Sequence, residues 1–497
     1  MARPVPARGQ GRSRRPPGPH DRPGQHGQPG QPGQRAQHRG RADPARRAAC
    51  DVLCAVAERD AYANLLLPAT LTERGLAGRD AALATELTYG TLRGQGTYDA
   101  ILSICCDRDL ASLDPAVREI LRLGSHQLLA TRVAPHAAVA TSVDLIRDVA
   151  GPRPAGFVNA VLRRVATRDL EGWLEIAAPA RADDLAGHLA VRYSYPRWIV
   201  TAWAQALGED PAGGLPETEA ALAADSERPQ VALCATPGLA SAAELMPAGV
   251  VPARWSPHGG YLSEGDPGRI PAVAQGRAGV QDEASQLAAI ALTRADLSGR
   301  DARWLDLCAG PGGKARLLGG LAGAGGARLV AAELRPHRAR MVRPAAAGAW
   351  AGEVVVADGT RPAWRPATFD RVIADVPCSG LGALRRRPEA RWRRSPDSIS
   401  GLAALQRQLL GTALDSARPG GVVAYVTCSP HVAETRDVLA AVLSGRRDAE
   451  ILDAPALLGE VPGLACPAPD SRYAQFWPHR HGTDAIFLAL LRRTAAD

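Results

Sequence analysis

The chain has 497 residues, is 46% hydrophobic, and carries a formal net charge of +8 with a pI near 9.2. That length predicts roughly two to four domains with real cores. No apolar run approaches the roughly 18 to 20 residues that span a bilayer, and the basic N-terminus lacks the apolar centre of a signal peptide, so a membrane protein is excluded and a cytoplasmic one expected. The nine cysteines (Cys50, Cys54, Cys105, Cys106, Cys234, Cys308, Cys378, Cys428 and Cys466) form no metal-type pairs with nearby histidines, so no metal is expected.

The charge is uneven. Residues 1–43 hold nine arginines against two aspartates and almost nothing apolar, which predicts a disordered basic tail of Pro, Gly, Gln, His and Arg. Such an arm suits sequence-independent phosphate contact and, equally, a solubilising extension.

Residues 44–169 read as helix throughout. Asp114-Pro115 supplies an N-cap and a first-turn proline, and Val117, Ile120, Leu121, Gly124 and Leu128 mark one face. Pro135 opens another helix with Val139, Val143 and Ile146 inward, stopped at Gly151. Phe157, Val158, Val161, Leu162 and Val165 give a last apolar face with Arg163 and Arg164 outward. Asn159, one of two asparagines with Asn64, reads as a buried hydrogen-bonding residue in preference to an RNA contact. Together this is an all-α bundle. It resembles the NusB antitermination family of RNA-binding bundles in Glu86-Leu-Thr-Tyr-Gly-Thr-Leu-Arg93, Leu121-Arg-Leu-Gly-Ser-His-Gln-Leu-Leu129, Pro135-His-Ala-Ala-Val139 and Phe157-Val-Asn-Ala-Val-Leu-Arg-Arg164.

Residues 170–280 are mixed: Trp198 to Leu207 reads as helix, Gln230 to Thr236 as strand, and Ser241 to Met246 as helix. A small α+β module linking two larger parts is expected. From 281 to 495 strand and helix signals alternate, which predicts an α/β, Rossmann-like domain with a parallel sheet covered on both faces. Asp282 caps a helix that runs toward Leu292. The short apolar run Trp304–Leu307 then breaks at Gly310-Pro-Gly-Gly313, with Leu317, Leu318 and Leu321 behind it at helical spacing. Strand, glycine turn and helix bring bare backbone N–H groups against a ligand. Arg328–Glu333, Glu353–Asp358, Phe369–Asp375 and Gly421–Cys428 read as further strands that end in Glu333, Asp358, Asp375 and Cys428. Ligands of open α/β sheets sit at those ends, so the four groups should converge.

One compositional fact singles out the turn. Of 59 lysines plus arginines only one is lysine, Lys314, and it follows the glycines directly. A compact ammonium on a flexible stem differs from a planar guanidinium, so a site can demand one of them. A P-loop is excluded because Ala315 follows Lys314 and leaves no hydroxyl for magnesium. The spacing is not G-x-G-x-x-G, which argues against a dinucleotide. Glu333, about 20 residues on, suits a nucleoside ribose. Cys378 in Asp375-Val-Pro-Cys-Ser-Gly380 and Cys428 in Thr427-Cys-Ser-Pro430 lie at strand ends. A thiolate that adds to carbon 6 of a pyrimidine makes carbon 5 nucleophilic, and release then needs a base, so two cysteines facing one cofactor fit methyl transfer to that carbon. Either cysteine alone could equally be core.

Residues 279–493 resemble the RNA cytosine-carbon-5 methyltransferases, in Cys308-Ala-Gly-Pro-Gly-Gly-Lys314, Asp375-Val-Pro-Cys378 and Thr427-Cys-Ser429. With the NusB-like bundle in front, the chain resembles the bacterial small-subunit ribosomal RNA enzymes of the Sun/RsmB family. The resemblance implies S-adenosylmethionine bound by Cys308, Ala309, Gly310, Pro311, Gly312, Gly313, Lys314, Glu333, Asp358 and Asp375. It implies Cys428 as covalent nucleophile, Cys378 as the group promoting release, and a monomer acting on RNA, 16S ribosomal RNA first, with transfer RNA or another ribosomal position as alternatives. The family usually has Ala where Gly310 stands, and often Asp where Glu333 stands. The run Arg385-Arg-Arg-Pro-Glu-Ala-Arg-Trp-Arg-Arg394 marks Arg385, Arg386, Arg387, Arg391 and Trp392 as RNA contacts, against the alternative of a solvated face. Phe476–Asp484, with two histidines, reads as a loop beside the site. A non-catalytic RNA-binding assembly factor with a vestigial site is the competing class.

Overall fold

The computed structural model describes residues 42–346, 352–467 and 469–495. The basic tail lies outside them except for its last two residues.

Seven helices open the described chain: α1 (Pro44–Arg59), α2 (Ala63–Glu73), α3 (Gly78–Arg93), α4 (Gln95–Cys105), α5 (Pro115–Ala130), α6 (Pro135–Ala150) and α7 (Ala155–Val165). Their starts follow from capping chemistry. The Asp43 carboxylate accepts the Arg46 N–H ahead of α1, and the Asp114 carboxylate accepts the Ala116 N–H at 2.9 Å ahead of α5. A cap of this kind is worth about 1 kcal/mol. The inward faces close on one apolar core that includes Leu53, Leu87, Ile101, Ile120, Leu121, Val143, Ile146 and Leu162. Gly124 lets α5 and α7 approach, since a Cβ there would stand 2.6 Å from a Leu162 methyl. Gly90 does the same for His126, whose Nε2 would lie 2.2 Å from an added Cβ. Asn159 departs from expectation. It is half-buried, and its side-chain oxygen accepts from Arg163 Nε at 3.3 Å near the surface.

The next helix, α8 (Leu170–Ala177), completes the bundle. Trp173 enters the bundle core and donates from its indole to the Val165 carbonyl at 2.8 Å. The α+β segment that follows has two parts. Helices α9 (Leu185–Tyr193), α10 (Arg197–Leu207) and α11 (Pro216–Ser226) pack around Trp203. Strands β1 (Val231–Ala235), β2 (Val250–Pro252), β3 (Gly259–Leu262) and β4 (Ala278–Val280), with the single-turn helices α12 (Ala242–Leu245) and α13 (Pro271–Ala274), form an antiparallel sheet in the order β2-β3-β1-β4.

The C-terminal domain runs α14 (Glu283–Arg294), β5 (Arg303–Asp306), α15 (Gly313–Ala324), β6 (Arg328–Glu333), α16 (Pro336–Ala346), β7 (Gly352–Val356), β8 (Phe369–Asp375), α17 (Asp397–Ser416), β9 (Ala417–Thr427), α18 (Arg436–Leu443), β10 (Ala449–Leu452), β11 (Ala474–Gln475) and β12 (Phe487–Arg493). The sheet order is β10-β12-β9-β8-β5-β6-β7, with β11 beside β12. Strands β5 to β9 are parallel, as expected. β12 runs antiparallel to β9, and β10 and β11 antiparallel to β12, so the sheet is mixed. Trp304 and Leu305, adjacent on β5, fall into different apolar clusters, as the period of two requires. One cluster packs under α14 and α15, the other under α17 and α18.

Candidate active site beyond β5, β8 and β9

Chain order reverses at β5, which lies between β6 and β8, and a crevice opens there past the strand ends. After β5 the backbone turns through Gly312, at φ 114°, a conformation that favours glycine, and enters α15. That turn sends Lys314 inward. It is only 9% exposed, and its ammonium donates to Asp375 Oδ2 at 2.9 Å. Burial opposes the charge, but Asp375, helped by Cys428 and Asp306, outweighs it and holds the Lys314 pKa above its ordinary value.

Glu333 ends β6 and reaches back to the turn. Its Oε2 accepts the Gly310 N–H at 3.0 Å and its Oε1 the Arg335 N–H at 2.9 Å. Arg338 closes the same corner by donating to the Gly310 carbonyl at 2.5 Å. Cys308 lines the crevice floor, where burial and the charges of Asp306, Asp375 and Glu333 push its thiol up. Asp358 stands two residues beyond β7 and accepts the Thr360 N–H at 2.9 Å and hydroxyl at 2.7 Å, which closes a turn and lowers its pKa.

Asp306, the last residue of β5, was not singled out by its sequence, because it sits inside the apolar run Trp304–Leu307. It is wholly buried. Its Oδ1 accepts the Cys308 N–H at 3.3 Å, while Oδ2 has no hydrogen-bond partner among the described residues. Burial first, then the neighbouring Asp375, push its carboxyl up to about 7, with Lys314 offsetting part of the rise. The readable signal was an acid on the strand immediately before the glycine turn.

The two cysteines meet. Cys378, three residues past β8, and Cys428, next after β9, place their sulfurs 3.2 Å apart, and both are free thiols. The hydrogen bond with Cys428, then burial, then the charges of Cys428 and Glu434 push the Cys378 thiol well up.

The arginine run is corrected in part. Arg385 and Arg386 pair with Asp282 and Asp484, Arg385 Nε at 2.7 Å from Asp484 and Arg386 Nη2 at 2.8 Å from Asp282. Arg391 is 0% exposed: its guanidinium lies 3.8 Å over the Tyr195 ring and donates to the Tyr195 hydroxyl and to the Ser194 and Arg93 carbonyls. Arg385 and Arg386 are thus paired with acids of their own C-terminal domain, whereas Arg391 joins that domain to the bundle and to α9–α11, so all three are engaged within the protein and not free for phosphate. Arg387 and Trp392 stay at the surface, Arg387 over Tyr62 at 5.5 Å and Trp392 packed on Gly96. In the C-terminal loop His479 meets Glu217, and His481 accepts from Trp477 N. No His, Cys, Asp and Glu group among the described residues could hold a metal ion, and no described helix is long and apolar enough to cross a membrane.

A family model described as 16S rRNA methyltransferase RsmB/F matches residues 296–492, and one described as the NusB family matches residues 43–167. Ribosomal RNA small subunit methyltransferase B of Pseudomonas putida is 33% identical over 91% of this chain and 99% of its own. The chain belongs to the RsmB/F methyltransferase family. A Mycobacterium tuberculosis relative, Rv1407, described as a methyltransferase, is 51% identical over 91% of this chain and 97% of its own. The crystal structure of PH0851 superposes with TM-score 0.73 at 21% identity, covering 92% of this chain and all of that one, which shows that the fold extends across both parts of this RsmB/F member.

Proposed function

We propose that this enzyme transfers a methyl group from S-adenosylmethionine to carbon 5 of a cytosine in 16S ribosomal RNA, with Cys428 as nucleophile and Cys378 as the group that releases product. The observation that carries the reading is the pair of thiols 3.2 Å apart beside the buried Lys314–Asp375 pair. Its relatives are named as small-subunit ribosomal RNA methyltransferases, which supports the substrate.

The crevice suits the cofactor. Asp306, Glu333 and Asp375 crowd negative charge there, and the unpartnered Asp306 Oδ2 is an acceptor for a cationic ligand. The turn from Cys308 through Ala309, Gly310, Pro311, Gly312 and Gly313 would hold it, together with Lys314, Glu333 and Asp375, with Asp358 flanking. When bound, S-adenosylmethionine supplies an electrophilic methyl group.

The residues divide the remaining work. Lys314 lies near Cys428, and the Cys378 and Cys428 sulfurs share one hydrogen bond at 3.2 Å. Cys428 would add to carbon 6, and the electron pair of the ring double bond would make carbon 5 the nucleophile toward the methyl group, whose bond to the sulfonium sulfur breaks to leave a neutral thioether. Once the Cys428 sulfur is bonded to carbon its charge is gone, and with it much of what holds the Cys378 thiol up. Cys378 then releases its proton to water, takes the proton from carbon 5, and the electron pair re-forms the double bond as Cys428 leaves as thiolate.

The test uses 16S ribosomal RNA tritiated at cytosine carbon 5. Tritium released into water in step with methyl incorporation is expected, and 23S or transfer RNA should give none. Methyl incorporation with tritium retained would overturn carbon 5 as the target.

A further inference from the structure

Both catalytic cysteines are followed by serine, and both serines end on one carboxylate. Glu434, wholly buried in the single 3₁₀ turn between β9 and α18, receives the Ser379 N–H at 2.7 Å and the Gln406 side-chain N–H at 3.1 Å on Oε1. On Oε2 it receives the hydroxyls of Ser429, at 2.6 Å, and of Ser379. With each hydroxyl proton spent on the carboxylate, the serine oxygens rest 3.0 Å apart. Gln406 of α17 also donates to the Pro377 carbonyl at 2.9 Å, and the Tyr425 hydroxyl to the Glu434 carbonyl at 2.7 Å. All four groups on the carboxylate are neutral donors and no cation among the described residues pairs with it, so the arrangement is an acceptor satisfied from four sides. A surface salt bridge or a helix cap would need none of this.

We propose that Glu434 is the positioning residue of this site: by holding Ser379 and Ser429 on one carboxylate it sets the separation of the Cys378 and Cys428 sulfurs and makes the two thiols unequal. The inference rests on the reading of those cysteines given above. Beside the clamp, the Cys378 loop and the end of β9 are joined near the thiols by the sulfur pair itself, by the Gly382 N–H on the Cys428 carbonyl at 2.8 Å and by the Val376 N–H on the Val426 carbonyl at 3.1 Å. The asymmetry has a second source in the same residue. The hydrogen bond with Cys428 and burial raise the Cys378 thiol most, and the Glu434 charge adds to them, whereas the Lys314 ammonium lies near Cys428. The two touching sulfurs therefore have unlike charged neighbours, a carboxylate for one and an ammonium for the other. His431, two residues after Ser429, also faces Glu434, and burial holds it below its ordinary pKa, so it adds no fixed cation.

The experiment compares full-length wild type with Glu434→Gln, which keeps size and burial but exchanges an acceptor oxygen for a donor. Limited alkylation by iodoacetamide, without RNA or cofactor, is read by peptide mass spectrometry as label on Cys378 relative to Cys428. Wild type should label Cys428 first, and Glu434→Gln should move label to Cys378 several-fold. In the methylation assay kcat should fall about 10- to 100-fold, as misplaced reacting groups do, with KM for RNA unchanged. Unchanged labelling and unchanged kcat in a folded variant would overturn the proposal. Should Glu434→Gln fail to fold, Ser379→Ala and Ser429→Ala each remove one hydroxyl, and the same shift in smaller measure is expected of both; its absence in both would overturn the clamp equally. Because labelling uses no RNA, it judges Glu434 even if neither cysteine forms an RNA adduct, an outcome that would count against the proposed chemistry alone.

Discussion

Glu333 Oε2 occupies the space that a side chain on Gly310 would enter: a Cβ there would stand 2.3 Å from it. The same oxygen accepts the Gly310 N–H at 3.0 Å. The two departures from the usual family residues are therefore one change. The acid brings its carboxylate onto the turn, and a methyl on residue 310 would have to displace it. Gly310→Ala alone should weaken cofactor binding, because the methyl displaces Glu333. Glu333→Asp alone should weaken it by withdrawing the acceptor. The double variant should recover most of the loss, with a coupling of about 1–3 kcal/mol by calorimetry. Additive losses would show that the two positions are independent.

Asp306 gives a prediction in pH. Its folded carboxyl lies at about 7 against an ordinary 3.8, raised by burial and then by Asp375. A raised acid stabilises the fold below its unfolded pKa and loses that stabilisation as pH rises through the folded value. Asp306→Asn should therefore remove a fall in stability between about pH 4 and 7, and above it should exceed wild type by up to about 4 kcal/mol in chemical denaturation. Equal pH slopes in both proteins would refute this. A cationic cofactor favours the ionised form, so wild-type affinity should rise from about pH 6 to 8 with release of a proton, seen as a dependence of binding heat on buffer, and Asp306→Asn should lose the dependence.

Arg391 tests the correction to the arginine run. It lies 3.5 Å from Asp225 Oδ2, and both side chains are fully buried. Arg391→Met leaves that carboxylate, already raised by burial, without its cation, and should cost about 3–5 kcal/mol of stability. It should leave the salt dependence of RNA binding unchanged. A variant of normal stability with a shallower salt slope would return Arg391 to the RNA surface.

Much of this was legible in the residues. The acid or cysteine at each strand end, the lone lysine after a glycine turn, and Asp114-Pro115 before an apolar stripe report local rules, and local rules survive folding. The destinations of Arg385, Arg386 and Arg391 were hidden because a basic run reads the same whether it faces water or buried acids far away in sequence, such as Asp225 and Asp484. Asp306 was masked by its apolar neighbours. Glu434 was masked because a single glutamate after Thr427-Cys-Ser-Pro430 says nothing of the loop 55 residues earlier that it holds. The antiparallel placement of β12 depends on pairing that no strand carries in its own sequence.

The central claim is that Cys428 attacks the base and Cys378 frees it, and the measurement is covalent trapping. Each variant is incubated with labelled 16S ribosomal RNA and S-adenosylmethionine and run on a denaturing gel. Cys378→Ser should accumulate a protein–RNA band because it attacks and methylates but releases slowly, whereas Cys428→Ser should give none, since an alcohol is a far weaker nucleophile than a thiolate. A band with Cys428→Ser, or none with Cys378→Ser, would contradict the roles assigned here.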